Sequence, residues 1–73
     1  MENTVNELYK NCQIYVLSSE NSGRWQATAR IIASEIREMK GFGLLITGGF
    51  KTQAEAETEV LMRIKKRIDE AAR

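Results

Sequence analysis

The sequence contains no histidine, and it has a single cysteine (Cys12) and a single aspartate (Asp69). Without histidine, no side chain has an ordinary pKa near neutrality, which excludes Ser-His-Asp and Cys-His catalysis. One cysteine cannot form a disulfide within the chain, and His and Cys ligands for a metal cluster are missing. We therefore expect a protein that is not an enzyme, with no metal, no cofactor and no evident small-molecule substrate.

A surplus of charge is also missing. The 11 Lys and Arg against 10 Asp and Glu leave a net charge of +1, which gives no strong field towards nucleic acid or an acidic membrane. No apolar run approaches the about 20 residues of a membrane-spanning helix. Residues 1–4 lack the basic and apolar regions of a signal peptide. Together with the lone cysteine, typical of a reducing compartment, these absences predict a soluble cytoplasmic protein.

The chain is long enough for one domain only. Its 73 residues (8.3 kDa) are 42% hydrophobic and 29% charged, a composition typical of a globular domain and not of a disordered segment. Domains below about 70–80 residues usually gain stability from disulfides, metals or oligomerisation. Because the first two are not available, we expect self-association, with a homodimer as its simplest form.

The clearest predicted element is a C-terminal helix over residues 53–72. Thr52 followed by Glu55 has the spacing of a capping box, and the segment contains no Gly, Pro or Asn. Its glutamates come early and its basic residues later, which complements the helix dipole. The apolar stripe expected to face the core consists of Leu61, Ile64 and Ile68, flanked by Ala54, Val60 and Ala71.

Two short segments upstream predict strands. Residues 12–18 (CQIYVLS) are rich in β-branched and aromatic types, and a turn cluster at 19–23 follows them. Residues 42–47 (FGLLIT) form another apolar run, opened by Gly41 and closed by Gly48 and Gly49. Residues 4–8 fit either a short capped turn or a lead into the first strand, and both interpretations stay open.

Residues 24–40 fit two different periods. A helical stripe would consist of Trp25, Ala29, Ile32, Ile36 and Met39. Alternation fits equally well, with one face formed by Trp25, Ala27, Ala29, Ile31 and Ala33 and the other by Arg24, Gln26, Thr28, Arg30 and Ser34. The close Asn-Ser-Gly turn before the segment favours a strand, as does the marginal stability of a sheet with only two strands. A turn over 36–40 then leads to the next strand.

These elements predict an α+β domain: a three-stranded antiparallel meander with one long C-terminal helix packed on one face (βββα). The helix stripe would pack on inward strand residues, namely Cys12, Ile14, Val16, Trp25, Ala27, Ala29, Ile31, Phe42, Leu44, Ile46 and Phe50. The small side chains of Ala27 and Ala29 would let the helix approach the middle strand closely.

Four short motifs carry a resemblance to known proteins. They are Tyr9 with Ile14, Trp25-x-Ala27, Phe50-x-Thr52-x-x-Glu55-Ala56-Glu57, and Ile68-Asp69. With them the chain resembles a set of short bacterial proteins of unknown function, single domains with a three-stranded sheet and a long C-terminal helix. In fold, βββα is similar to the arm-binding domains of tyrosine recombinases and to plant AP2-type domains, which read DNA with the sheet. The junction at 50–56 is also similar to antitoxin domains of the HicB type. No catalytic residue is implied by any of these resemblances.

The sheet surface turned away from the helix, named the outer face below, is the candidate binding site. Its predicted members are Tyr15, Leu17, Arg24, Gln26, Thr28, Arg30, Ile32, Leu45 and Thr47. A solvated sheet face is mostly polar, whereas this one mixes apolar side chains with arginines, as interfaces do. Scattered apolar residues on a small sheet are also common without any function.

A protein partner, including a second copy of the chain, is the favoured occupant of the outer face. Two copies could pair through this face or along an exposed edge strand. DNA is the alternative partner, with Arg24 and Arg30 on phosphates or guanines and Gln26 and Thr28 on bases. The low net charge argues against DNA, because DNA-binding domains usually carry a basic surplus.

Three further features have simple structural interpretations. Residues 47–52 (TGGFKT) are similar in composition to a phosphate-binding loop, but Phe50 stands where that loop needs glycine. We therefore expect these glycines to end a strand before the capped helix. Cys12 is expected to be buried and not reactive. Trp25 is expected to anchor the core at the sheet edge and not to stack on a ligand.

Overall fold

The computed structural model describes residues 2–72, with the side chains of residues 4–44 and 49–72. Its elements in chain order are β1 (Glu2–Tyr9), β2 (Cys12–Asn21), β3 (Arg24–Ser34), a short 3-10 turn (Arg37–Met39), β4 (Gly43–Phe50) and α1 (Gln53–Ala71). The four strands form one antiparallel sheet in the order β1-β2-β3-β4. The predicted α+β class, an antiparallel meander with a long C-terminal helix on one face, is confirmed.

The sheet has one strand more than the three that the sequence predicted. Residues 2–9 form β1, which pairs with β2 along its whole length. The turn between the two strands has positive φ angles at Lys10 (47°) and Asn11 (64°), as a two-residue type I′ hairpin turn requires. Lysine seldom adopts this conformation, so the sequence gives only a weak signal for the turn.

Residues 24–34 are a strand, which confirms the interpretation favoured over a helix. A tight turn at Ser22 and Gly23, both with positive φ, joins β3 to β2. The predicted turn at 36–40 contains the 3-10 turn, whose Met39 is buried and adds to the core. Because β3 lies between β2 and β4, it is hydrogen-bonded on both sides, and this tertiary context decides the ambiguous segment.

α1 covers the inner face of the sheet with residues spaced four apart. This stripe consists of Ala56, Val60, Ile64 and Ile68, each 0% exposed. It packs on the inward residues of β2 and β3, namely Cys12, Ile14, Val16, Ala27, Ala29 and Ile31, each at most 1% exposed. These core predictions are confirmed, except that the stripe passes through Val60 and Ala56 while Leu61 is half-buried and Ala54 exposed. Alanines on both sides of the contact allow the close approach that the sequence predicted.

Larger side chains close the core at its margins. Trp25, Phe42, Leu44 and Phe50 are half-buried and pack against the buried cluster, as predicted. Trp25 lies opposite Phe50 across β3 and β4, so it anchors the core as expected. The side chain of Ile46, also predicted here, lies outside the described residues.

A bulge in β3 changes the facing of its last residues. The register with β2 shifts at Ile32, which has no residue opposite it. Beyond the bulge the alternation is reversed. Ser34, predicted to face outwards, lies opposite Cys12 with its Oγ 3.1 Å from the cysteine Sγ, whereas Ala33, predicted to face inwards, is exposed. Both assignments were wrong because a strict two-residue period does not allow for an inserted residue.

A second irregularity lies in β4. Where β3 has one residue, Gln26, between two paired positions, β4 has three (47–49). Gly49 within this bulge has a φ of +72°. The prediction that Gly48 and Gly49 end the strand was wrong, since both lie inside it, in the bulge. Arg24 Nη1 donates to the Gly49 carbonyl oxygen at 3.1 Å, which gives a backbone group of the bulge a hydrogen-bond partner.

Polar contacts hold the first turns of α1 on the sheet. Thr52 Oγ1 accepts from the Glu55 amide at 3.1 Å, which is the N-cap bond predicted from the sequence. Glu57 accepts from Ser18 Oγ of β2 and from Gln53 Nε2, each at 3.0 Å. Ser18 is fully buried, so the carboxylate supplies the partner that a buried hydroxyl needs.

Near the other end of α1, Asp69 binds the turn between β1 and β2. Tyr9 Oη donates to Asp69 Oδ1 at 2.9 Å, and Lys10 Nζ lies 2.6 Å from the same oxygen. The hydrogen bond to Asp69 raises the pKa of Tyr9 and also that of Lys10. Glu7 of β1 forms an ion pair with Lys65 of α1. These contacts fix the edge strand β1 against the helix.

Ile64→Ala should lower the free energy of unfolding by about 2–5 kcal/mol, because it leaves a cavity at the centre of the buried stripe. Met62→Ala is the control on the same helix: Met62 is 58% exposed, and its truncation should cost less than about 0.5 kcal/mol. Urea unfolding followed by circular dichroism measures both. Equal midpoints for the two variants would contradict the placement of the stripe.

Gly49→Ala should destabilise the fold by about 1–2 kcal/mol. Its φ is +72°, and a Cβ there would lie 3.3 Å from Arg24 Cδ. Gly43→Ala is the matched control in the same strand, since its Cβ would meet the Ala29 carbonyl oxygen at an ordinary 3.8 Å. Thermal unfolding compares them, and a larger loss in G43A than in G49A would show that the bulge is misplaced.

Stability should fall as the pH rises above about 10, where tyrosine and lysine lose their protons. Folding raises the pKa of Tyr9 above its ordinary 10.0 and that of Lys10 above its ordinary 10.5. The folded state therefore binds both protons more tightly, and this stabilisation is complete below those values and lost as the pH rises through the raised pKa.

Two substitutions isolate this alkaline effect. Tyr9→Phe removes the contribution of one titrating group, and Asp69→Asn removes the charged acceptor that both groups share. Melting temperatures measured between about pH 8 and pH 12 should decline less steeply in Y9F than in the native chain, and least steeply in D69N. Identical slopes in all three proteins would rule out a role for the Asp69 contacts.

Candidate interaction face

Side chains at alternate positions of the strands form the outer face, on the side of the sheet opposite α1. Tyr15 of β2 lies opposite Arg30 of β3, and Leu17 lies opposite Thr28. Directly opposed residues in an antiparallel pair project from the same surface. The predicted members of β2 and β3 before the bulge are thus brought together: Tyr15, Leu17, Arg24, Gln26, Thr28 and Arg30.

β1 widens the outer face with residues that sequence reasoning missed. Thr4, Asn6 and Leu8 lie opposite outward residues of β2. Leu8 is 74% exposed, the highest value among the large hydrophobic side chains that the structure describes. Their signal in the sequence is alternation with the half-buried Val5 and Tyr9, which extends the two-residue period to the start of the chain.

One end of the outer face is apolar. Leu8 and Ala33 flank Gln13 from the two neighbouring strands. Ile32 lies beside them at the bulge of β3 and is 52% exposed. The half-buried Tyr15 follows two residues further along β2. We call Leu8, Tyr15, Ile32 and Ala33 the apolar end, since exposed apolar groups in one place are typical of a contact surface.

The other end of the outer face is polar, and its side chains already bond within the protein. Arg24 Nη1 donates to the Gly49 carbonyl, and Gln26 Nε2 donates to Ser19 Oγ at 3.4 Å. Both side chains were candidates for contacts with DNA. Arg30, exposed in the middle of β3, is therefore better placed than Arg24 to meet an external group.

Two predicted members of the outer face belong to β4. Leu45 lies opposite Thr28, so its backbone position belongs to the same surface. The side chains of Leu45 and Thr47 lie outside the described residues. The outer face is thus established on β1, β2 and β3, and on β4 by the backbone register alone.

Away from the outer face, the described residues offer little chemistry. Cys12 is fully buried, as expected, and the described residues include no group of three His, Cys, Asp or Glu that could hold a metal ion. A depression of about 430 Å³ beside the start of α1 is lined by Phe50, Ala54, Glu55, Thr58 and Glu59. The two carboxylates of this depression disfavour the binding of a phosphate. Gly48 and Gly49 are instead explained by the bulge in β4.

Comparison with known proteins adds no relative. No protein family, no curated protein and no solved structure gives a significant match to this chain. The resemblance to short bacterial proteins accordingly stays a prediction. Within residues 2–72, no helix has the length and the apolar character needed to cross a membrane.

Proposed function

We propose that the protein is a non-enzymatic interaction module that forms a homodimer through the outer face of its sheet. The observation that carries this proposal is the apolar end, where Leu8 is 74% and Ile32 52% exposed. Removing apolar surface from water is worth about 25 cal/mol per Å², so two such clusters gain by contact with each other. A cytoplasmic location belongs to the same proposal, supported by the single unpaired cysteine.

The dimensions of the molecule suit contact between two outer faces. Its principal extents are 38 × 17 × 15 Å, so a broad face is of the order of the ~800 Å² that each partner buries in a standard interface. A two-fold axis brings the same surface of both copies together. A 73-residue chain with a free cysteine and no histidine would gain from the dimer the stability that other small domains take from disulfides or metals.

Charge opposes this pairing only weakly. The net charge is +1. The charged members of the outer face are Arg24 and Arg30, with Glu2 added by its backbone register opposite Ser19. Arg24 is held by the Gly49 carbonyl. Arg30 lies opposite Tyr15, and an aromatic ring of this kind can receive the guanidinium of a second copy. The cost of bringing two arginine-bearing faces together is thereby reduced.

DNA binding through the same face is the second candidate, and one observation favours it. Arg30 is exposed in the middle of this face, and a sheet placed in the major groove can contact bases. Glu2 belongs to the same face by its register opposite Ser19. Against it, Arg24 and Gln26 already bond within the protein. The net charge also lacks the basic surplus typical of such domains.

The test introduces the same carboxylate at three exposed hydrophobic positions. Leu8→Glu and Ile32→Glu alter the apolar end, and Met62→Glu is the matched control on α1, where Met62 is 58% exposed. Sedimentation equilibrium should show dimers for the native chain and M62E, and association weakened by at least about tenfold in L8E and I32E. Circular dichroism and the melting temperature check that each variant is folded.

Two results would refute the homodimer: a native chain that stays monomeric at every concentration, or a dimer that M62E disrupts while L8E and I32E leave it intact. Titration with duplex DNA decides the second candidate. Affinity that falls steeply with salt and is lost in Arg30→Gln would assign the outer face to DNA. No binding at low salt would exclude it.

A further inference from the structure

The two edges of the sheet differ in charge. On the β1 side, Glu7 and the adjoining Lys10 form ion pairs with Lys65 and Asp69 of α1, and charged groups at an edge discourage pairing with another strand. Residues 41–50, which include all of β4, contain no charged residue and no proline. β4 therefore lacks the side chains that usually protect a sheet edge.

The direction of the β4 backbone groups follows from one hydrogen bond. The Ile31 amide donates to the Phe42 carbonyl oxygen at 2.8 Å, and the register continues without a shift to residue 46. The Phe42 amide itself donates to the Met39 carbonyl oxygen at 3.2 Å, so residue 42 meets β3 through its C=O alone. Hydrogen-bonded positions alternate in an antiparallel pair, so residues 44 and 46 turn both their N–H and C=O groups towards β3. Gly43 and Leu45 turn theirs away from β3, towards the open edge.

The regular part of this edge is short. Residues 43–46 pair with β3 without a bulge. Residues 47–49 form the bulge, and Arg24 occupies the Gly49 carbonyl there. Because bulges interrupt the row of groups that a second strand needs, the pairing segment is centred on Leu44, with Gly43 and Leu45 as its hydrogen-bonding residues.

We propose that this edge pairs with the same edge of a second copy, antiparallel and about a two-fold axis perpendicular to the sheet. Centred on Leu44, the pairing sets Gly43 of each copy opposite Leu45 of the other, so that both exchange N–H and C=O bonds. The occupant is a second copy because the segment is complementary to itself: it brings its own donors and acceptors into register and sets no like charges against each other.

The result is a continuous eight-stranded sheet with both helices on one side and two outer faces side by side on the other. The inference goes beyond the proposed function and does not depend on it. Edge pairing uses backbone groups of β4, whereas the homodimer through the outer face uses outward side chains, whose apolar end lies on β1, β2 and β3.

Amide hydrogen exchange of the full chain, followed by NMR over a dilution series, tests the inference residue by residue. The Gly43 and Leu45 amides should exchange freely in dilute solution and at least about tenfold more slowly where the chain is associated. The Leu44 amide, bonded to β3, is the internal reference and should stay protected at every concentration.

Two substitutions of Leu45 separate the role of its backbone N–H from that of its side chain. Leu45→Ala and Leu45→Pro both remove the leucine side chain, but only L45P removes the N–H, which points away from β3 and is not needed by the ladder. L45P should abolish the concentration-dependent protection of Gly43, and L45A should keep it. Gly43→Lys places a charge on the edge, at a position where an added Cβ makes only an ordinary van der Waals contact. It should also abolish the concentration-dependent protection of the Leu45 amide, and it serves as the second variant if L45P does not fold.

The outcomes separate the edge from the outer face. The edge inference is overturned if the chain associates, I32E disrupts the association, and Gly43 and Leu45 exchange at the same rate at every concentration. The proposed homodimer through the outer face fails instead if I32E and L45A leave association intact while L45P abolishes it. A chain that is monomeric throughout, with constant exchange rates, overturns both.

Discussion

The contact between α1 and the inner face of the sheet is the interaction on which the rest of the structure depends. A stripe of four buried residues on the helix meets six buried residues of β2 and β3, and a sheet of this size needs such a covered face to be stable. Within residues 2–72, α1 is the one helix long enough to do this. Because α1 lies on the inner face, none of the other described elements packs on the outer face.

Polar contacts determine how the helix lies on the sheet. Glu57 bonds buried Ser18 near the start of α1, and Asp69 holds Tyr9 and Lys10 near its end. Surface ion pairs contribute little free energy individually, but contacts near both ends of a helix define its orientation. They also fix β1, which carries Leu8, 74% exposed on the outer face. The contacts of Asp69 with Tyr9 and Lys10 thus link the packing of the helix to the shape of the candidate binding surface.

Much of this fold could be predicted from the sequence because its periods are clear. Ile64 and Ile68 follow the helical period, Thr52 marks the first turn, and the alternation from Trp25 to Ile31 separates inner from outer residues. The segment 24–34 was ambiguous by itself. It forms a strand because the backbone groups of the strands on either side need hydrogen-bond partners, which a helix could not provide.

The remaining differences come from single residues that break a period. Ile32 is an inserted residue, and strict two-residue alternation gives no sign of an insertion. Ala33 was therefore predicted to face inwards and Ser34 outwards, which is the reverse of their observed orientation. Gly48 and Gly49 look like the end of a strand, yet the bulge they form keeps β4 paired up to Phe50. Leu8 was missed because Lys10 and Asn11 are an uncommon hairpin turn. Both bulges border the outer face, the surface that sequence reasoning identified but could not outline.

The most direct test of the account is an isotope-filtered NMR experiment on an equal mixture of ¹³C-labelled and unlabelled chains at a concentration where they associate. We expect contacts between the two copies that start from the methyl groups of Leu8 and Ile32. Intermolecular contacts that start from Met62 and the exposed side of α1, with none from Leu8 or Ile32, would contradict it.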